Sequence, residues 1–179
     1  MKQMLETLRK TAQSGVVAIG ATLLAHESVA QDVPTSGQET VQGPQVNIVP
    51  ELSFAAAQRL TAQGVAQAQD NDMRLALAVV DRAGNLLSSA RMDGAGIVTV
   101  DVAIGKARTA AFLKSPSKRF EDMINAGSPS MVTVPGILPL QGGMPVLHDG
   151  EVIGAVGVSG SSGDNDQAIA AAIASSFRG

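Results

Sequence analysis

The sequence predicts an α+β fold in which an antiparallel sheet of about five strands is flanked by helices. Two β-hairpins indicate this class. The first spans Leu75–Met92, where apolar strands surround the turn residues Asp81–Asn85. In the second, the strong turn signal Asp149–Gly150 lies between Met144–His148 and Glu151–Val158. Helical segments lie before, between and after the hairpins without strand–helix–strand alternation, so a largely antiparallel sheet is expected.

Four segments have the apolar spacing of helices. The first begins after the predicted N-cap Ser53 and ends at Asp70–Asp72. The second, Ile97–Phe112, has a stripe of mostly small residues and should pack closely on its neighbour. A short third helix covers Lys118–Ile124. The last, Asp164–Phe177, carries acidic residues in its first turn, as the helix dipole favours.

The segment 127–143 is rich in Gly and Pro and predicts an ordered loop. Two short pieces within it, Met131–Val134 and Ile137–Leu140, are interpreted as extended, and with the hairpins they bring the sheet to about five strands. Gly154 and Gly157 interrupt the last strand, which indicates that another element packs tightly there or that the strand bends.

The first thirty residues have the pattern of an export signal. Lys2, Arg9 and Lys10 form a basic start, and Ser14–Ala25 is an apolar run followed by small residues up to Ala30. A membrane anchor is the alternative, but the run is shorter than the roughly 20 residues that span a bilayer. We therefore expect cleavage near Ala30 and a periplasmic or secreted chain with no stable membrane insertion afterwards.

The remainder predicts a flexible arm over 31–50 and one domain over 51–179. The formal net charge is −3 and no block of Lys or Arg stands out, which argues against nucleic acid or an anionic membrane as a partner. The chain has no Cys, which excludes thiol nucleophiles and iron–sulfur clusters. It also has no Trp or Tyr, which disfavours surfaces that bind sugars or single-stranded nucleic acid by aromatic stacking.

Three motifs occur in a recognisable order: AVVDRAGNLLSSARMDGA (Ala78–Ala95), VDVAIGKARTAAF (Val100–Phe112) and GGMPVLHDGEVIGAVGVSG (Gly142–Gly160). Together they resemble the GlcG/HbpS family, also called the haem-degrading or DUF336 domain, which includes the C-terminal domain of PduO-type proteins. The resemblance covers about Leu52–Phe177. It implies a five-stranded antiparallel sheet flanked by helices, profilin- or roadblock-like, in an oligomer. It also implies haem as a non-covalent ligand, because some exported members bind haem and have been proposed to sense haem or iron.

Side chains that could hold such a ligand include one histidine and three methionines. His148, which would remain after cleavage, is a candidate ligand for haem iron or another metal, although an exposed hairpin histidine without a role is the alternative. Met144, like Met92 and Met131, lies near a Gly-rich loop and could supply an axial thioether, although Met is more often a flexible core residue.

Candidate cations for a carboxylate ligand are Arg91, Lys106 and Arg108. Arg91 could bind a haem propionate or an organic acid through its planar guanidinium, or Asp93 could be its internal partner and hold the loop. Lys106 and Arg108 lie on the second helix, where a solvated face or a subunit contact is the alternative.

These observations favour an exported, oligomeric binding protein for haem or a similar anionic or planar ligand, acting in haem or iron sensing or sequestration. No catalytic residues are predicted, because neither an activated nucleophile nor a paired-carboxylate site is apparent. An enzyme or enzyme accessory acting on haem or a small organic acid is one alternative. A protein-interaction scaffold without a ligand is the other.

Overall fold

The computed structural model describes residues 43–44 and 46–178 of the chain. The predicted export signal, 1–30, lies outside the described residues, as does most of the predicted arm, 31–50. The chain divides into a unit 1–44 and a unit 45–179, and the description below concerns the second unit.

Four helices and four strands make up this unit. In chain order they are α1 (Phe54–Asp70), β1 (Ala76–Asp81), β2 (Leu86–Arg91), α2 (Thr99–Leu113), α3 (Lys118–Asn125), a 3₁₀ turn (Pro129–Thr133), β3 (Gly143–His148), β4 (Glu151–Ser159) and α4 (Gly163–Ser176). The strands form one antiparallel sheet in the order β2-β1-β4-β3. The α+β class and both hairpins are therefore confirmed, with four strands in place of about five.

The extended pieces predicted between α3 and β3 do not become strands. Met131 lies in the 3₁₀ turn, and residues 137–140 join no strand of the described sheet. The Leu138 N–H donates to Thr109 Oγ1 at 2.8 Å, and that hydroxyl donates to the Leu138 carbonyl at 3.0 Å. A side chain of α2 thus satisfies the backbone groups that a neighbouring strand would have paired. Pro135 and Pro139, which lack an N–H, further disfavour a strand.

The main core lies between the sheet and the two helices α1 and α4, which pack side by side on one face. Its largest fully buried side chains include Leu75, Leu77, Val79, Val156 and Ile173. The alternating residues of β1 face the other way, where, among the described elements, α2 covers the sheet.

Glycine allows α2 to lie directly on the sheet. A Cβ at Gly157 would collide with the Ala103 carbonyl, and a Cβ at Gly143 would collide with the Lys106 carbonyl. The facing residues of β1 are Ala76 and Ala78, both fully buried. The tight packing predicted at Gly157 is confirmed, and the small-residue stripe of α2 is what this contact requires.

The hairpin turns and helix ends follow from local chemistry. Asp149 and Gly150 both have positive φ, +48° and +82°, as the two-residue turn requires. In the first hairpin, the Asp81 carboxylate accepts from the backbone N–H groups of Ala83 and Asn85, each at 2.8 Å. The predicted N-cap Ser53 is confirmed, because its hydroxyl accepts from the Ala56 N–H.

Among the helices of residues 43–44 and 46–178, none combines the length and the apolar character needed to cross a bilayer.

Candidate functional site

A cavity of about 560 Å³, called here the α1–β2 cavity, lies where the C-terminal end of α1 meets the end of β2. Its lining combines two arginines, two aspartates, a thioether and small apolar groups: Val65, Gln69, Asp72, Arg74, Ala90, Arg91, Met92 and Asp93. The charged residues are exposed, whereas Val65, Ala90 and Met92 are partly buried. The cavity therefore combines an apolar wall, formed by these three side chains, with exposed charged groups.

The register of the first hairpin builds one side of this cavity. Arg91 pairs with Ala76, and the Met92 N–H continues the ladder by donating to the Leu75 carbonyl at 3.0 Å. Gly94 then reverses the chain with φ +82°. Arg91 Nη1 donates to the Ala95 carbonyl at 2.9 Å, which holds this turn against the strand.

The predicted alternative for Arg91, an internal ion pair with Asp93, is not what the structure shows. In the described part of the chain no ion pair joins these two residues. The bond from Arg91 to the Ala95 carbonyl holds the loop instead, and both charged groups lie at the cavity.

Arg74 supplies the second guanidinium of the cavity. Its Nη2 lies 3.1 Å from Asp72 Oδ1, and the two side chains are 52% and 93% exposed. A surface ion pair of this kind contributes roughly 0–1 kcal/mol, so an arriving carboxylate can compete for Arg74 at little cost. Arg74 was not among the predicted site residues, although the hairpin register that pairs residue 76 with residue 91 places residue 74 beside residue 93.

Lys106 is buried away from this cavity. Its side chain is 5% exposed and its Nζ lies 2.8 Å from Asp166 Oδ2 on α4. The same Nζ donates to the Val158 carbonyl at 2.9 Å, and Asp166 Oδ1 accepts from the Ser161 N–H. Within the described chain, Lys106 therefore joins α2 to α4 rather than facing solvent. Its role toward a ligand stays a prediction.

Arg108 lies at the opposite end of β2 from Arg91. It is exposed, and its Nε donates to the Gly84 carbonyl at 2.9 Å, at the tip of the first hairpin. Five residues of extended strand separate Leu86 from Arg91, which is about 16 Å. One chain therefore does not bring these two predicted cations together.

Met144 and His148 lie on β3, at the far edge of the sheet. Met144 is partly buried and its sulfur accepts from Gln167 Nε2, as a core methionine can. His148 is partly exposed, with its Nε2 3.6 Å from Asp149 Oδ2.

His148 and Arg91 lie at opposite corners of the sheet. Ala76 pairs with both Arg91 and Ser159, whereas His148 pairs with Glu151 at the other end of β4. Strand spacing and rise place the two predicted residues about 30 Å apart. No group of three or more His, Cys, Asp or Glu side chains within the described residues is arranged to hold a metal ion. The metal-ligand role of His148 stays a prediction, separate from the α1–β2 cavity.

A second, shallower groove runs along α3, lined by Pro116, Lys118, Arg119, Asp122, Met123, Ala126 and Gln167. Here the hydrogen bond from Lys118 to Asp122, at 2.7 Å, raises the pKa of the lysine. That pair leaves Arg119 and the apolar groups as the features of this groove. Of the residues predicted for the site, none lines it.

Comparison with known proteins places these features in a family. Residues 52–175 match the family model described as "Haem degrading protein HbpS-like". Protein GlcG from Escherichia coli is 42% identical over 108 residues, which is 60% of this chain and 81% of that protein.

Solved structures share the fold. A double mutant of HbpS from Streptomyces reticuli is 28% identical, with a TM-score of 0.71 over 93% of this chain and 100% of that chain. A PduOC–haem complex is 27% identical, with a TM-score of 0.65 over 72% of this chain and 96% of that chain. The predicted family resemblance is confirmed.

The buried ion pair generates a stability prediction. Lys106→Met leaves the Asp166 carboxylate buried without its cation, and we expect a loss of about 3–5 kcal/mol in the free energy of unfolding. The double variant Lys106→Met with Asp166→Leu removes both charges and should recover most of that loss. Urea unfolding followed by circular dichroism measures both. Equal stability of the single variant and the wild type would contradict the structural role of the pair.

Proposed function

Because this chain belongs to the family of haem degrading HbpS-like proteins, we propose that it binds haem non-covalently in the α1–β2 cavity. The observation that carries the proposal is that two guanidinium groups, a thioether and an apolar wall line one cavity. The PduOC–haem complex, on a similar fold, supports haem as the ligand class.

The lining residues suit the chemistry of haem. Haem carries two carboxylates, and planar guanidinium groups such as those of Arg91 and Arg74 bind carboxylates with two parallel hydrogen bonds. Val65 and Ala90 provide apolar contact for a flat ring. The Met92 sulfur is of the type that ligates haem iron. Bound haem would supply an iron centre that accepts axial ligands and changes oxidation state.

The cavity favours binding over turnover. Its charged side chains are the exposed Arg74 and Arg91 and the exposed carboxylates Asp72 and Asp93. Neither a buried acidic side chain nor an activated nucleophile is among the residues that line the cavity. We therefore propose that the lining holds a ligand without converting it. An assay for turnover of haem or of a small organic acid tests the alternative, that the chain is an enzyme.

We also propose that the chain is exported and acts as a homo-oligomer outside the cytoplasm, in haem or iron sensing or sequestration. The basic and apolar start of the sequence, with small residues up to Ala30, supports export. The exposed edge strand of the sheet supports self-association.

Arg91→Met tests the carboxylate contact. A hydrogen bond to a charged group is worth about 1.5–3 kcal/mol, so hemin affinity should fall roughly 10- to 100-fold, and Arg91→Lys should be intermediate. Arg59→Met is the matched control, since Arg59 is exposed on α1 but lines a different cavity. Titration of the purified chain with hemin, followed in the Soret band, measures all four proteins. Equal affinity of Arg91→Met and the wild type would overturn the assignment of the cavity.

Met92→Leu and His148→Ala distinguish two candidate iron ligands. If the Met92 sulfur ligates iron, Met92→Leu should shift the Soret band and weaken hemin binding, yet leave metal-free protoporphyrin IX binding unchanged. His148→Ala should alter neither, because His148 lies about 30 Å from Arg91. The reverse pattern would assign the iron to His148 and remove it from the α1–β2 cavity.

Export is tested by the N-terminus of the expressed chain. Intact-mass analysis of protein from a periplasmic extract should give a chain that begins at Gln31, because Ala30 is the last of the small residues at the predicted cleavage site. Full-length protein confined to the cytoplasmic fraction would contradict the proposal.

A further inference from the structure

We propose that this chain binds a small protonated amine in a second cavity, separate from the α1–β2 cavity. The second cavity, called here the α2–α4 cavity, has a volume of about 320 Å³ and lies where α2, α3 and the start of α4 meet the end of β4. It shares no lining residue with the α1–β2 cavity. The proposal therefore goes beyond the proposed function and does not depend on haem.

A buried hydroxyl without a partner is the first observation that points to a ligand. Ser159 ends β4, lines the α2–α4 cavity and is only 7% exposed. Lys106 and Asp166, which also line the cavity, bond to other groups, and within the described chain the Ser159 hydroxyl makes no hydrogen bond. Buried hydroxyl groups are normally hydrogen-bonded, because the lost water partner has to be replaced. A ligand in the cavity can supply that partner.

The side-chain amide of Gln141 is the second observation. Its Nε2 donates to Asp164 Oδ1 at 3.2 Å, and because an ionised carboxylate can only accept, the Gln141 oxygen must point the other way. That oxygen, Oε1, is buried and accepts from no group of the described chain. Leaving a buried acceptor without a donor costs free energy. Since Gln141 lines the α2–α4 cavity, a ligand with an N–H group would satisfy it.

Glu121 supplies a carboxylate whose position is fixed. Its Oε2 accepts from the Gln141 backbone N–H at 2.9 Å, which ties α3 to the loop before β3. The side chain is partly buried and forms no ion pair with any described residue. Within the same residues its other oxygen, Oε1, accepts no hydrogen bond. Charge-assisted hydrogen bonds from an ammonium group to such a carboxylate are short and strong.

The charge of the cavity favours a cation. Its lining carries one cation, Lys106, and two carboxylates, Glu121 and Asp166. Lys106 and Asp166 neutralise each other at 2.8 Å, so the charge of Glu121 remains. Asp164, which bonds to the lining residue Gln141, adds a further carboxylate, and with Asp166 it offsets the positive end of the α4 dipole. The exposed cations of α3 line the separate groove along that helix.

The free acceptors match the donors of a primary ammonium group. Ser159 Oγ, Gln141 Oε1 and Glu121 Oε1 are three acceptors on one cavity, and a primary ammonium group has three N–H donors. Val102 and Leu140 add apolar lining. The volume corresponds to about ten water molecules at about 30 Å³ each. The ligand class is therefore a primary amine, protonated at neutral pH, with a short apolar chain.

Titration with n-butylammonium chloride tests the ligand class. Two-dimensional NMR of the purified chain should show saturable shifts of the Ser161 and Gly163 amide signals, whereas those of Arg91 and Met92 stay in place. Butanol and sodium butyrate carry the same short chain with no charge or a negative charge, and neither should shift these signals at the same concentration. Equal binding of butyrate, or shifts confined to Arg91 and Met92, would overturn the proposal.

Potassium chloride at the same concentration distinguishes an amine from a metal cation. A potassium ion offers positive charge without N–H donors, so it should not reproduce the shifts at Ser161 and Gly163. Shifts as large as those from butylammonium would overturn the assignment of an amine.

Matched glutamate variants test the residues. Glu121→Gln keeps an acceptor for the Gln141 N–H but loses the charge, and butylammonium affinity should fall at least tenfold. Ser159→Ala should weaken binding roughly 2- to 10-fold. Glu151→Gln is the control, because Glu151 is exposed at the opposite end of β4 from Ser159 and should bind as the wild type does.

The outcomes separate this site from the proposed haem site. Equal affinity of Glu121→Gln and the wild type, or equal weakening by Glu151→Gln, would overturn the α2–α4 assignment. So would a wild type that binds no butylammonium. Hemin titration of Glu121→Gln should match the wild type, because the two cavities share no lining residue. Failure of hemin to bind any of these proteins would overturn the haem proposal and leave the amine site to the NMR titration.

Discussion

The direct contact between α2 and the sheet is the constraint on which the rest of the structure depends. The Ala103 and Lys106 carbonyls lie where Gly157 and Gly143 have no side chain, so the helix lies mainly over β4, β1 and β3. This placement leaves β2 at the periphery of that face. The strand order makes β2 an edge strand, and Arg91, at its end, therefore lies at the periphery of the sheet, where it lines the α1–β2 cavity.

The buried Lys106–Asp166 ion pair also fixes the position of α2 on the sheet. It joins the helix that packs alone on one face to the helix α4 on the opposite face, and its side chains are almost fully buried. Removing such charges from water is costly, and the pair is acceptable because the Val158 carbonyl and the Ser161 N–H satisfy the remaining hydrogen-bonding groups. The position of α4 against the sheet is thus specified by polar contacts as well as by the core.

The sequence predicted the helices, hairpins and turns well. It predicted poorly which of the candidate site residues lie together in the folded chain. Hairpins, caps and helix periods depend on neighbours within a few residues, so Asp149–Gly150 and Ser53 could be interpreted correctly. The loop conformation at Leu138 could not be predicted, because its backbone N–H and carbonyl pair with the Thr109 hydroxyl of α2 instead of with a neighbouring strand. The environments of the predicted cations also depend on tertiary packing, because Arg91 lines a cavity whereas Lys106 forms a buried ion pair. Arg74 was missed although the hairpin register places it beside Asp93.

The order of strands in the sheet has a kinetic consequence. The central strand β1 pairs with β4 along its whole length, from Ala76 with Ser159 to Asp81 with Gly154. The Lys106–Asp166 ion pair cannot form until α4 has been synthesised. These contacts join segments far apart in the chain, and closing such long loops slows folding. The first hairpin and α2 therefore cannot acquire their final packing until nearly the whole chain has been synthesised. Under the export proposed above, this delay would keep the nascent protein open while it is still being made.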